Sequence, residues 1–493
     1  MPIVQQFDFS AGQYSFVSAF SHPPNSLALI NGARVDQKMN TLTKDLGYSQ
    51  VSTTPETNKG ATGIHDFHQD PTTQKILITV NDSTDDDTQL FYKTLAGAWI
   101  EVGAAETAWA NVANVAVRME TFIEHAFIVG HGSVDGFLPV ASFTGTTFSS
   151  TANVTNMAQA KGVVRYRDRL YAINTRTGGT NYPFRVYYSS APSTGAITWT
   201  PASDFFDIGF GEEIRAETNH WDKLIIFTRF ETFMFDQTQV RSVWKVGAAN
   251  RQTVDKFQGY LIWTNHEGVW MSANQQQPFK VSDPIKNFID ASIVSNQHAK
   301  IIDDVYYLSL GGTITVDSET YTNTMAMLHV PTLTWTIREL GHQVNRLGAI
   351  NDTDRQRLYI CATNGKIYNK GKYTDSTLIK DDDGTAIRVN VLFQPIRLQD
   401  VGAKNKIKEI RAYAEKAGSA SLKYRILDRR NRALTDFKPL GTIEKYENVF
   451  EVLDDAEGTL IQVALSELSG NEHWVYNGHQ IEIDSISKVI NSK

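Results

Sequence analysis

Oxygen-rich runs are the first candidates for chemistry in this chain. Asn81 to Gln89 reads NDSTDDDTQ and Lys380 to Thr385 reads KDDDGT; both are dense in the hard ligands that calcium takes. Neither keeps the spacing of a helix–loop–helix calcium site, because the first has no glycine at its turn and the second is too short. They read as solvated hairpin tips. His65, His68 and His131 offer imidazoles without a third ligand at usable spacing, so no metal site is expected. Asp168, Asp222 and Asp303 could converge as the paired carboxylates of a glycosidase. Each, however, stands just before an apolar run, where aspartate bonds neighbouring amides in a turn. A two-carboxylate mechanism needs two specific positions, not one per repeat. No nucleophile elbow, phosphate loop or dinucleotide fingerprint occurs. The reading assigns no catalytic residue, no metal and no cofactor, and expects a non-enzyme.

Charge is more informative. The chain of 493 residues has a net charge of −7, which gives it no global attraction to nucleic acid or anionic lipid. Between Lys404 and Arg432, however, ten basic residues face three acids. Lys404, Lys406, Lys408, Arg411, Lys423, Arg425, Arg429, Arg430 and Arg432 form a candidate contact surface for an acidic protein neighbour or DNA phosphates, against the plainer reading of a solvated sheet face. Tyr413 and Tyr424 are the only aromatics there, too few for stacking along a single strand. The lone Cys361 rules out a disulfide within the chain and reads as a small buried residue. No basic leader with an apolar core begins the sequence and no run approaches 18 apolar residues, so no membrane insertion is expected.

The elements that would position these groups are short strands. YLIWTNHEGVWM, Tyr260 to Met271, is two aromatic-rich runs around a polar link, which reads as a hairpin. Similar runs begin near Ile76, Ala126, Leu170, Leu224, Leu261, Val305 and Leu358, a spacing of 37 to 54 residues. That period holds four strands and their turns, as in a propeller blade. The runs are apolar at consecutive positions, so both faces should be covered, as in strands pressed between neighbouring blades. Trp99, Trp199, Trp244 and Trp335 recur farther along, on what read as more exposed outer strands. The fold class expected is all-β: a propeller of about seven irregular blades over residues 63–385, with an N-terminal arm or ring-closing segment, 1–62. An antiparallel β-sandwich-like domain follows over 386–493, where the period is lost and alternating strands take over. Helix is expected only at DPIKNFIDASIV (Asp283 to Val294) and AAETAWANVANVAVRM.

The N-terminal LINGARVD…LTKDLGYSQV, the propeller repeats without catalytic residues, and QPIRLQDVGAKNKIKEIRAYAE together resemble the tail nozzle and packaged-DNA stabilisation proteins of short-tailed bacteriophages. Leu46-Gly47-Tyr48 matches that family's arginine-x-Gly-aromatic motif with Lys44 in the arginine's place. Val281-Ser282 and Ile285 fill its strand-to-helix pattern. The resemblance implies a virion protein made in the bacterial host cytoplasm, forming a homo-oligomeric, six-fold ring below the portal and its adaptor ring and above distal tail proteins. The ring would retain double-stranded DNA without sequence specificity and pass it at ejection. Six copies of a −7 chain would bring about −42 charges, and an acidic bore lets phosphates slide. Asp82, Asp85, Asp86, Asp87, Asp381, Asp382 and Asp383 are therefore expected at the lumen or distal rim, and the basic cluster at a neighbouring subunit or adaptor. The alternative is a carbohydrate-binding or glycoside-hydrolase propeller acting in host recognition.

Overall fold

The seven apolar runs become seven strands, each the second of its own antiparallel sheet: Gln74–Asn81, His125–Gly132, Arg169–Thr177, Lys223–Phe227, Tyr260–Asn265, Val305–Ser309 and Arg355–Ala362. The first strands of the same sheets are Gly63–His68, Val115–Phe122, Gln159–Tyr166, Ala216–His220, Asp255–Phe257, His298–Ile302 and Val344–Asp352. This computed structural model describes residues 3–486 apart from 15–24, 37–39, 57, 71, 82–86, 111, 113–114, 133–135, 210, 353–354, 373–374, 376, 398–403, 417, 429–432, 445, 453–456, 459 and 469–472. Within them the chain is all-β.

The turns between first and second strands explain the recurring aspartates. His220 and Lys223 pair across a two-residue turn in which Trp221 and Asp222 have φ of 50° and 53°. That is the left-handed geometry that favours short polar residues and suits strand twist. Asp303 at φ 56° does the same between Ile302 and Val305.

Consecutive hydrophobicity has the cause inferred from sequence. Seven apolar clusters lie between successive sheets, so the second strands are covered on both faces. Leu77 of the first sheet meets Ile128 of the second. Ile78 of the first packs with Ile350, Tyr359 and Cys361 of the seventh, so the series returns to its start. A Cβ on Gly348 would lie 2.9 Å from the Ile64 side chain, so a bare backbone lets those two first strands approach.

The tryptophans depart from expectation. Trp244 and Trp335 do stand on the fourth strands of their sheets, Val240–Trp244 and Thr334–Glu339, but these two and Trp199 are themselves buried. Their indoles tie one sheet to the approach of another: Trp335 Nε1 donates to the Val281 carbonyl at 2.7 Å and Trp199 Nε1 to that of Asn153 at 3.0 Å. Burying a large ring while satisfying its one donor favours this arrangement. The helices are shorter than expected. Lys286–Ala291 forms with Ile285, Phe288 and Ile289 buried. The other ends at Ala108, and VAVRM belongs to the strand Val115–Phe122, where alternating valines face inward.

The fourth strand of the seventh sheet, Tyr48–Thr53, comes from the N-terminal segment and pairs with Lys366–Lys370. The sixth sheet continues through Ser26–Asn31, parallel to Thr334–Glu339, into Val389–Phe393, Leu460–Glu467, Ser421–Leu427 and Lys438–Thr442. Facing this extension is a second sheet of Ala33–Asp36, Thr41–Lys44, Val475–Ile486, Lys404–Lys416 and Glu447–Glu451, with Ile3–Gln6 on its edge. One core fills the gap, joining Leu27, Ile30 and Leu42 to Ile410, Tyr424, Ile461 and Tyr476. The C-terminal strands thus share their core with the N-terminal ones.

Candidate functional site

The first strands of all seven sheets line a single cavity of about 730 Å3. Its wall is polar, with Asp66, Arg118, Glu120, Arg165, Glu217, Arg251, Asp255, Lys256, Lys300 and Arg346 among the lining residues. Most carboxylates are engaged. Glu217 holds Arg251 at 2.7 Å, Asp255 accepts the Ile301 amide at 2.8 Å, and Asp66 accepts the Asn351 amide at 2.9 Å. Burial raises the Glu120 carboxyl to about 7 against the pull of Lys256 and Arg165. Burial likewise pushes His65 down to about 4, and its Nε2 lies 2.7 Å from Thr121 Oγ1. Among the described residues no Phe, Tyr or Trp lines this cavity.

A smaller cavity of about 220 Å3 continues it past Arg118, Arg251 and Gln252. Its wall adds Lys161, Glu213, Arg215 and His131. Glu213 is shared by Lys161 at 2.8 Å and Arg215 at 3.0 Å.

A second polar constellation is buried, with Asp45 and Lys370 on the wall of a separate cavity of about 280 Å3. The run Lys44-Asp45-Leu46-Gly47-Tyr48, which carries the family resemblance, forms a clasp between the sixth and seventh sheets and the C-terminal strands. Arg338, on Thr334–Glu339, is wholly buried; its Nη1 meets Asp45 Oδ2 at 2.7 Å and its Nη2 meets Asp382. Lys370 Nζ reaches Asp45 Oδ2 at 2.8 Å and the Leu46 carbonyl at 3.0 Å. Burial opposes ionisation of Asp45, but the charges of Lys370 and Arg338 outweigh it and hold its carboxyl well below the usual carboxylate range. Both cations also lie over the Tyr48 ring, Arg338 at 4.6 Å from its centroid and Lys370 at 4.9 Å. Lys44 pairs with buried Glu467 at 2.8 Å. A Cβ on Gly47 would fall 1.6 Å from the Asp381 carbonyl oxygen, so no other residue fits that approach.

The sequence-derived candidates scatter. Asp82, Asp85 and Asp86 lie outside the described residues, and Asp87 is buried rather than a solvated tip. Asp382 is likewise no tip: Arg338 and the Tyr48 amide, at 3.1 Å, draw it inside. Asp381 closes its own turn through the Gly384 amide at 2.8 Å, and Asp383 is exposed beside Lys366 at 3.2 Å. A calcium role for KDDDGT loses its central ligand to Arg338. Among the described residues no group of three or more His, Cys, Asp or Glu could hold a metal ion.

Nor do the described members of the basic cluster share one surface. Lys408 and Arg411 lie on the sheet holding Lys404–Lys416, beside Glu482 and Glu409 at 3.2 and 2.5 Å. Lys423 and Arg425 lie on the opposite sheet and line a cavity of about 480 Å3 that also contains Asp317 and Glu319 of this same chain. Arg425 donates to Gln462 Oε1 at 2.8 Å and stacks 4.5 Å from the Phe437 ring centroid. Strand alternation explains the split, since Ile407, Ile410, Leu422, Tyr424 and Ile426 all turn to the shared core. Lys404 and Lys406 lie on the strand Lys404–Lys416, and Arg429, Arg430 and Arg432 lie outside the described residues.

Sequence reasoning missed both constellations. The cavity cations carry no local signal, because Arg118, Arg251 and Arg346 are far apart in the chain. The KDLGY run was legible as a motif but not as a buried ion network. No protein-family model matches this chain, and no curated protein matches it. No helix among the described residues is long and apolar enough to cross a membrane.

Proposed function

We propose that the seven sheets are the blades of a β-propeller over residues 63–385, with Tyr48–Thr53 completing its last blade. The C-terminal strands, with strands of the N-terminal segment, form an added β-sandwich. On this reading the protein is a structural component of a bacteriophage neck or tail. It forms a homo-oligomeric ring around the DNA path below portal and adaptor, holding the genome and passing it at ejection. The observation that carries the mechanical half of the reading is continuity. One sheet runs from the sixth blade into the sandwich, and the Arg338–Asp45–Asp382 clasp ties the same seam. A body so joined transmits load instead of flexing at a linker. The virion half rests on the KDLGY and VS-x-x-I resemblance.

The carbohydrate reading finds less support. A sugar site needs aromatic platforms and two free carboxylates at defined separation. Among the described residues the shared cavity has no Phe, Tyr or Trp in its lining and keeps Glu217, Asp255 and Asp66 bound to neighbours. Electron microscopy of the purified full chain, alone and with portal–adaptor complexes, tests the proposal. Closed rings that cap the portal are expected. Monomers that ignore the portal, or release of reducing sugar from bacterial surface polysaccharide, would overturn it.

A further inference from the structure

The narrow end of the shared cavity has more positive charge than the protein itself neutralises. Five cations gather there from five sheets or their connections: Arg118, Lys161, Arg215, Arg251 and Arg346. Only Glu213 and Glu217 pair with members of this set, and Glu213 is divided between two of them. Asp255 is within electrostatic reach of Arg118 but has Lys300 at 3.4 Å. Three positive charges remain in excess.

The hydrogen bonds show where. Arg118 makes no hydrogen bond and no ion pair among the described residues. Arg251 spends Nε on Glu217 and Nη1 on the Lys161 carbonyl, while its Nη2 is buried without a partner. Arg346 is held by the Thr62 and Asn345 carbonyls and approaches His298, with no carboxylate. Arg118 feels the charge of both Arg251 and Arg346. Burial lowers Arg118 and Arg346 to about 10, so both stay charged at neutral pH. Guanidiniums that line one cavity, repel one another and keep donors the protein does not engage favour an anion placed among them.

We propose that the Arg118–Arg251–Arg346 end of the cavity is a binding site for a tetrahedral oxyanion of the phosphate class. Guanidinium donors match such an anion in planar, charge-assisted pairs, and its multiple charge answers the excess. The space admits either free orthophosphate or the phosphoryl end of a small phosphorylated molecule. The site belongs to the single chain and does not depend on the virion reading.

Calorimetric titration of the full chain in chloride buffer tests it, with orthophosphate in one arm and a simple alkyl phosphate monoester in the other. Saturable binding of one equivalent is expected in at least one arm, with no response to extra chloride at matched ionic strength. Tighter orthophosphate assigns the free anion, and tighter monoester assigns a phosphorylated ligand. Arg118→Gln removes no hydrogen bond within the protein and should fold; it should weaken binding at least about tenfold. Lys245→Gln, exposed and outside the cavity, should not change it. Phosphate responses equal to those of chloride, or an Arg118→Gln chain that titrates like the parent, would overturn the proposal. Should Arg118→Gln not fold, thermal unfolding of the parent in phosphate against chloride decides, since a bound anion must raise the midpoint.

Discussion

Arg118 and Arg338 are both arginines deep in the molecule, and their surroundings differ in kind. Arg338 is enclosed at the seam between the sixth and seventh sheets and the C-terminal strands, where Asp45, Asp382 and the Leu46 carbonyl answer its two Nη groups and Nε alone is left without a partner among the described residues. Arg118 looks into a cavity of about 730 Å3 and has no hydrogen-bond or ion-pair partner among the described residues. A group without access to solvent must be matched by the protein itself, whereas one facing a cavity can leave its match to water or a ligand. The first pattern marks architecture and the second marks a site.

The largest effect should come from breaking the clasp. Arg338→Met strands Asp382 as a buried charge and leaves Asp45 with Lys370 alone, and should cost about 3–5 kcal/mol in urea unfolding. Adding Asp382→Asn should recover much of it, because the stranded charge goes while Asp45 keeps Lys370. If Arg338→Met unfolds like the parent, the distinction between the two arginines collapses.

Acid should act next. Burial holds His479 down to about 3, with Tyr476 Oη 3.1 Å from its Nδ1. The unfolded chain takes up this proton near pH 6.5 while the folded chain refuses it. Stability contributed by the neutral ring is therefore present above about pH 6.5 and is lost as pH falls toward 3, by about 1.4 kcal/mol per unit. His479→Gln should make unfolding free energy less steep in pH between 6 and 5 by about that amount. An unchanged slope would show that His479 is not kept neutral. Closer to the clasp, His342 is lowered to about 4 by burial and should add to the same acid loss.

Trp335→Phe keeps an aromatic ring but removes half of a buried indole and leaves the Val281 carbonyl without its donor, and should cost about 2–3 kcal/mol by chemical denaturation. Smallest of all, Arg411→Ala on the outer sheet should leave the denaturation midpoint almost where it was, and closer still in high salt, because exposed pairs are screened. An Arg411 effect as large as that of Arg338 would erase the contrast between enclosed and exposed charge.

Local pattern carried much of the architecture. Seven consecutive-apolar runs announced seven strands covered on both faces, since a half-exposed strand would alternate. Asp222 and Asp303 announced turns, because a two-residue hairpin with positive φ favours short polar side chains. Strands near Ile410, Tyr424 and Ile461 were legible by alternation for the same reason. Other features were hidden because they depend on partners far along the chain. Asp382 looked like a tip because its neighbours are polar, and nothing near it in sequence announces Arg338. The basic run looked like one surface, yet its strands enter different sheets. The sequence by itself determined strands, turns and the two faces of each strand, because those follow from side-chain period and backbone preference. Tertiary structure alone decided which charges are matched and which are not. A partner's distance in space is set by how the sheets pack, and the cost of an unmatched charge exists only once water has been removed.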